Sequence, residues 1–277
     1  MISVIILTKN EEINIQRCLE SVSWSDDVLV LDSGSTDRTV EIAKNKSARV
    51  LNRPFDNFAN QRNFALDQCD LRHDWVLHLD ADEEVTPELR DELLEISSRK
   101  DHGPYSAYRV ASRIMLKGSW IRRAGMYPAY QVRFGKICDL RFKMVGHGQR
   151  EDLNPDRIGT LNGDLIHHNF SKGLDDWLSR HQRYARDEGV EILRNGRFTS
   201  LKQAIQLLFQ AQGDTEQRRA FKLLAGHLPC RPFLRFLYVY VFSLGFLDGA
   251  AGLTYARLML QYQKMIDQEL DHLRRHH

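Results

Sequence analysis

At 277 residues with 42% hydrophobic content, the chain is long enough for one large domain or two small ones with a sizeable core, which excludes a disordered or fibrous protein. Its four cysteines, Cys18, Cys69, Cys138 and Cys230, are scattered and form no Cys-X-X-Cys pair, which fits reduced thiols better than a disulfide framework or a zinc site. A net charge of +2 conceals segregation: Lys and Arg number 11 against 20 Asp and Glu in residues 1–99, 11 against 2 in 100–150, and 17 against 15 in 151–277. The basic middle stretch points to anionic ligands, and its dispersed arginines carry no nucleic-acid-binding motif.

The opening Met1-Ile2-Ser3-Val4-Ile5-Ile6-Leu7-Thr8 has no basic n-region and no small-residue cleavage site before Lys9, so we expect no signal peptide and a cytoplasmic location. Ser3–Leu7 reads as a buried strand. Residues 11–22 follow as a helix with Ile15, Leu19 and Val22 on one face, then a strand at Val28–Leu31. A charged helix over 37–46, a short strand at 48–51, a helix over 57–69 and an apolar strand at 75–79 continue the alternation, which predicts a mainly parallel sheet. Thr86 as N-cap and Pro87 just inside start the next helix.

The strand ends carry the chemistry. Asp80 and Asp82 are two apart on an extended chain, so they are expected to share one face and hold a cation, Mg²⁺ or Mn²⁺, that carries phosphate oxygens. The competing reading is a solvated acidic turn. Thr8-Lys9-Asn10-Glu11 closes the first strand. Asp32-Ser33-Gly34-Ser35-Thr36-Asp37 closes the second, with Gly34 free to take a positive φ. Three polar strand ends in one βαβ array predict a shared ligand crevice.

Together with Asn60-Gln61-Arg62-Asn63, these segments resemble the inverting family 2 glycosyltransferases. That resemblance implies the GT-A fold, a Rossmann-like α/β sheet flanked by helices, here with a helical C-terminal extension. It also implies that Thr8, Asn10, Glu11 and Asp32 hold the uridine of a UDP-sugar, that Gln61 and Arg62 lie near base and diphosphate, and that Asp80 and Asp82 form the metal motif. The roles suit the residues: a carboxylate can accept the uracil N3–H, and an arginine fork can neutralise a diphosphate. Downstream, Trp120-Ile121-Arg122, Tyr130-Gln131-Val132-Arg133-Phe134, Ile166-His167-His168 and Arg231-Pro232-Phe233 are similar to the subgroup that builds lipopolysaccharide core and related surface glycans. By that likeness the acceptor is a hydroxyl of a glycolipid, and His168 sits near the donor diphosphate.

One position departs from the subgroup. A Glu usually follows a His in the acceptor half, whereas here Gly148 follows His147, so the general base is sought at Glu151 or Asp152, or at a residue no motif marks. His147, His167 and His168 have no regular ligand spacing, and we expect hydrogen-bonding roles for them. We divide the chain into a nucleotide-sugar half (1–99), an acceptor half of the same domain (100–170) and a helical extension (171–277).

In the extension, 173–189 and 199–210 have helical spacing. The apolar stretch from Phe236 to Leu247 is short for a ~30 Å hydrocarbon core and suits an interfacial helix on an anionic membrane surface, with an internal docking helix as the rival reading. The sequence assigns no mechanism to the Asp of Gly245-Phe246-Leu247-Asp248-Gly249. Two other functions compete. A sugar-phosphate nucleotidyltransferase needs an N-terminal glycine-rich phosphate loop, but the first glycine is Gly34. A catalytically silent nucleotide-sugar-binding scaffold rests only on the missing Glu after His147.

Overall fold

The computed structural model describes residues 1–99, 101, 103–145, 148–196, 201–210 and 230–275. His147 and the terminal His276-His277 lie outside the described residues. The chain forms two compact units: residues 1–122 with 126–172, and residues 123–125 with 173–277.

In the first unit the alternation takes the form β1 (Ile2–Thr8), α1 (Ile15–Ser21), β2 (Val28–Asp32), α2 (Thr39–Asn45), β3 (Arg49–Asn52), α3 (Phe58–Gln68) and β4 (Trp75–Asp80). After β4 come β5 (Glu83–Val85), α4 (Pro87–Ser98), β6 (Ala107–Leu116), β7 (Ser119–Trp120), β8 (Tyr130–Lys136), β9 (Phe142–Val145), β10 (Gly148–Glu151) and β11 (Ile158–His167). The expected helix over residues 11–22 is shorter at its start, because the Asn14 and Ile15 N–H groups both donate to the Glu11 carbonyl and make a turn there. Thr86 caps α4 by accepting from the Leu89 N–H, with Pro87 at the first helical position.

The main sheet runs β3-β2-β1-β4-β8-β6-β11-β5, with β7 paired to β6. The first four strands are parallel, as the βαβ alternation requires. Beyond β4 the sheet is mixed: β8 is antiparallel to β4 and β6, β11 is parallel to β6, and β5 is antiparallel to β11. Hairpin and edge pairings replace helical crossovers in this half, so its sequence lacks the βα rhythm. Only two residues separate β4 from β5, yet β5 lies at the far edge of the strand order. The sheet therefore curls until that edge meets the carboxyl end of β4, with Ala81 and Asp82 at the join.

Both faces of the parallel strands are buried, so β1 carries the unbroken apolar run Val4–Leu7. Ile2, Val4, Ile6, Leu77 and Leu79 pack with Ile15, Leu19, Leu89 and Leu93 on one face. Ile5, Leu7, Leu29, Leu31 and Val76 pack with Ala59, Ala65, Leu66 and Phe142 on the other. At Gly163 on β11 a Cβ would come within 2.5 Å of the Leu89 Cα in α4. Gly163→Ala is therefore expected to cost about 1–3 kcal/mol or more, read as a lower denaturant midpoint with unchanged slope; an unchanged midpoint would refute this packing.

In the second unit α5 (Leu174–Gly196) and α8 (Gly249–Arg275) share a small core of Ala185, Ile266 and Leu270, and α6 (Leu201–Gln210) and α7 (Arg231–Leu237) lie between them in sequence. The Asp248 carboxylate accepts from the backbone N–H groups of Arg123 and Ala124 at 2.8 and 2.7 Å, which gives that aspartate a structural role. The stretch from Phe236 to Leu247 is not one helix. α7 passes into a π-helical turn at Tyr238–Phe242, Leu244 takes a left-handed φ of +58°, and a 3₁₀ turn at Gly245–Asp248 leads into α8. Among the described residues no single helix is long and apolar enough to cross a membrane; the pair Arg231–Phe242 and Gly245–Arg275 has the length and composition together but bends by 73°. Phe242 (75% exposed), Leu247 (59%) and Phe233 (55%) stand out from this corner.

Candidate functional site

The site grows from the carboxyl ends of β1, β2 and β4. Thr8 and Asp32 are register partners on β1 and β2, and both are buried. The Asp32 carboxylate holds its own turn. It accepts from the Gly34 and Ser35 N–H groups at 2.9 Å each and from the Ser35 hydroxyl, and Gly34 takes φ +84° to complete the bend. Asn10 ties the first strand end to this turn: its Oδ1 accepts from the Thr36 N–H at 2.8 Å, and its own N–H donates to Ser35 Oγ. Glu11 accepts from Asn14 and from Lys172, and burial, offset by these two donors, raises its carboxyl above the usual range.

From α3, the Gln61 amide donates to Ser33 Oγ and to the Arg53 and Pro54 carbonyls. Thr8 Oγ1, Gln61 Oε1, and Arg62 Nε and Nη1 are buried without a hydrogen-bond partner among the described residues. Orphaned polar atoms in a folded interior are costly. Grouped around the β1 and β2 strand ends and the adjacent helix, they are suited to a polar ligand.

Asp80 and Asp82 have different partners. Arg62 Nη2 donates to Asp80 Oδ1 at 2.8 Å and Arg133 Nη2 to Asp80 Oδ2 at 2.7 Å. Arg133, on β8, also donates to Glu83 Oε1 at 2.7 Å, and the Asp80 N–H donates to Glu83 Oε2. Burial would raise the Asp80 carboxyl, yet Arg133 and Arg62 hold it below the usual carboxylate range. Glu83 moves the other way, raised by burial and by the Asp80 charge against the pull of Arg133. Arg62 is 1% exposed, so its guanidinium lies beneath the crevice as a support for Asp80. Below it, His78 is fully buried, and burial followed by the charges of Arg62 and Arg133 lowers its pKa well below the ordinary histidine value.

Asp82 faces His167, whose Nε2 lies 3.3 Å from Asp82 Oδ2. Burial disfavours the charged imidazole, but Asp82, then Glu83 and Asp80, bring its pKa up to about 9. His168 is turned elsewhere: its ring meets Glu84 at 3.1 Å and its backbone N–H donates to the Asp82 carbonyl. A carboxylate and an imidazole side by side form an oxygen–nitrogen donor pair of the kind Mn²⁺ accepts. Among the described residues no three His, Cys, Asp or Glu converge, and a cation that carries diphosphate needs only one or two protein ligands. The donor set that fits is thus Asp82 with His167, while both oxygens of Asp80 are taken by arginines.

Glu151 and Asp152 lie at the end of the β9–β10 ribbon. Glu151 pairs in register with Phe142, whose ring lies 5.7 Å from the Arg62 guanidinium and 5.1 Å from His78. Asp152 is exposed and ion-paired with Lys143 at 2.7 Å. Glu151 is half-buried, and its carboxylate makes no hydrogen bond or ion pair among the described residues. The sequence reading missed Glu83, Arg133 and the contact of His167 with Asp82. Each stood inside a quoted motif, but nothing local marked which acid each would meet.

Comparison with known proteins bears on this arrangement. Residues 3–138 match the family described as Glycosyl transferase family 2. An uncharacterized glycosyltransferase of Rickettsia prowazekii is 42% identical over 208 residues, 71% of this chain and 69% of the relative. The lipopolysaccharide core biosynthesis glycosyltransferase LpsC of Rhizobium meliloti is 33% identical over 208 residues, 72% of this chain and 76% of that protein. Among solved structures, the glucosyl-3-phosphoglycerate synthase of Mycobacterium tuberculosis in complex with Mn²⁺, uridine-diphosphate and glucosyl-3-phosphoglycerate is similar with a TM-score of 0.45 and 21% identity, over 71% of this chain and 80% of that one.

Proposed function

The chain belongs to glycosyl transferase family 2 and has the GT-A fold with a helical extension, and on that premise we propose that it is an inverting, metal-dependent transferase that moves a hexose from a UDP-sugar to a glycolipid hydroxyl in lipopolysaccharide core or related surface-glycan assembly. The observation that carries this reading is the corner where β4 meets β5: Asp82 with His167, beside the buried unpartnered polar atoms of Thr8, Gln61 and Arg62. Thr8, Asn10, Glu11, Asp32 and Gln61 surround the uridine. Arg62 and Arg133 fix Asp80 and the turn that presents Asp82. Asp82 and His167 would hold a divalent cation, Mg²⁺ or Mn²⁺, which when bound would supply positive charge for the leaving diphosphate. Isothermal titration with a panel of nucleotide sugars and Mn²⁺ tests the donor: UDP-sugars are expected to bind with metal-dependent affinity, and equal binding of all nucleotides in chelator would refute it.

Inversion needs a carboxylate on the acceptor side to take the hydroxyl proton during in-line attack. Glu151 is the better of the two candidates, since Asp152 is exposed and spent on Lys143. Glu151→Gln is expected to leave UDP affinity intact and to lower turnover by on the order of 10²-fold or more, whereas Asp152→Asn leaves turnover near that of the parent. Collapse in Asp152→Asn alone would move the base one residue.

A glycolipid acceptor places the enzyme at the inner face of the cell membrane. The exposed corner of Phe233, Phe242 and Leu247, with Arg235 on the same helical segment, suits an anionic leaflet. Phe242→Glu combined with Leu247→Glu should reduce co-sedimentation with phosphatidylglycerol vesicles, and undiminished co-sedimentation would exclude this corner as the membrane contact.

A further inference from the structure

The acceptor half contains a second cluster that the donor site does not use. Lys117 (φ +51°) and Gly118 (φ +79°) make a two-residue hairpin turn that folds β7 back on β6, so that Trp120 pairs with Met115. Trp120 then stands between two arginines: the Arg113 guanidinium carbon lies 5.1 Å from the centre of its ring and that of Arg122 5.4 Å. Tyr127 meets Trp120 edge-on at 5.0 Å and lies 6.0 Å from Arg122, and the Tyr127 N–H donates to the Arg122 carbonyl to close the loop.

The charges in this cluster do not balance. Asp164, 4% exposed, accepts from Arg113 Nε at 2.8 Å and from the Tyr127 hydroxyl at 2.9 Å, which uses one carboxylate on one arginine. Arg122 is exposed and, among the described residues, its side chain has ring contacts but no hydrogen bond or ion pair. The terminal nitrogens of Arg113 are likewise unengaged among the described residues, and Trp120 Nε1 is a buried donor without a partner. A guanidinium over an aromatic face is attracted by the ring and weakly hydrated, and its free N–H groups are available to a ligand. Two such forks flanking one indole suit an oxyanion.

Position assigns the ligand to the acceptor side. Arg113 immediately precedes Ile114, the register partner of His167, and Asp164 precedes His167 by three residues on β11, about 10 Å. In the strand order β4 and β8 separate this cluster from the β1 and β2 crevice. Resting on the glycosyltransferase reading above, we propose that Arg113 and Arg122 bind an oxyanion, phosphate or carboxylate, carried by the acceptor saccharide. The subsite thereby selects acidic acceptors over neutral ones.

The test follows the Trp120 indole N–H by ¹⁵N NMR of the full chain, with the resonance assigned by its loss in Trp120→Phe. Glucose 6-phosphate, glucuronate, glucose and inorganic phosphate are titrated separately. A saturable shift is expected with one of the two acidic sugars, the responding sugar identifying the oxyanion, and no shift with glucose. Arg122→Gln should weaken that binding about tenfold or more, and Arg122→Lys should restore only part of it. UDP affinity, titrated independently, should be the same in all three proteins. No shift with either acidic sugar, an equal shift in Arg122→Gln, or inorganic phosphate binding as tightly as glucose 6-phosphate would overturn the subsite. Failure of wild-type protein to bind UDP would instead strike at the transferase reading, and leaves the anion titration interpretable on its own.

Discussion

Asp82→Asn is expected to lower sugar transfer by on the order of 10²- to 10³-fold while the protein keeps its fold. Asp82 lies on the two-residue join between β4 and β5, 17% exposed, and its Oδ2 lies 3.3 Å from His167 Nε2. The substitution keeps the shape and removes a charge that could pair with a cation, so UDP affinity measured with Mn²⁺ should weaken and excess Mn²⁺ should rescue poorly. Circular dichroism and denaturant midpoints near those of the parent would show that the loss is chemical. Near-parental activity of the variant in chelator-treated buffer would refute the metal role of Asp82.

Arg133→Met tests the support beneath that turn, and its expected effect is on stability. Arg133 is buried with Glu83, and its Nη2 bonds both Glu83 and Asp80. Removing one member of a buried ion pair leaves a charge without compensation, at a cost of about 3–5 kcal/mol. Glu83 should respond by taking up a proton, since burial and Asp80 already raise its pKa against the pull of Arg133, the largest of the groups that lower it. Adding Glu83→Gln to Arg133→Met should therefore recover part of the loss, whereas Glu83→Gln alone should destabilise. An unchanged denaturation midpoint in Arg133→Met would mean that Arg62 suffices to hold the corner.

The parallel half of the fold was legible because each strand is a short apolar run and each intervening helix has its own apolar face. Thr86-Pro87 announced α4 by local chemistry alone. The mixed half was not legible, since the pairings of β8 with β4 and of β11 with β5 join segments far apart in sequence, and no turn signal encodes them. The same distance hid the network around Asp80: Arg133 lies 53 residues downstream. Register separated His167 from His168. Adjacent residues on an extended chain point to opposite sides, so which one meets Asp82 depends on how β11 pairs with β5. Asp248 could not be interpreted from its neighbours because its partners are backbone N–H groups more than a hundred residues earlier.

The most direct measurement incubates the full chain with a labelled UDP-hexose, Mn²⁺ and membrane glycolipid, follows UDP release and label in the lipid fraction together, and determines the anomeric configuration of the product by NMR. The account predicts acceptor-dependent UDP release matched by labelled lipid, with a β-linkage formed from an α-linked donor. UDP release without transfer, retention of the α configuration, or no consumption of any UDP-sugar would contradict it.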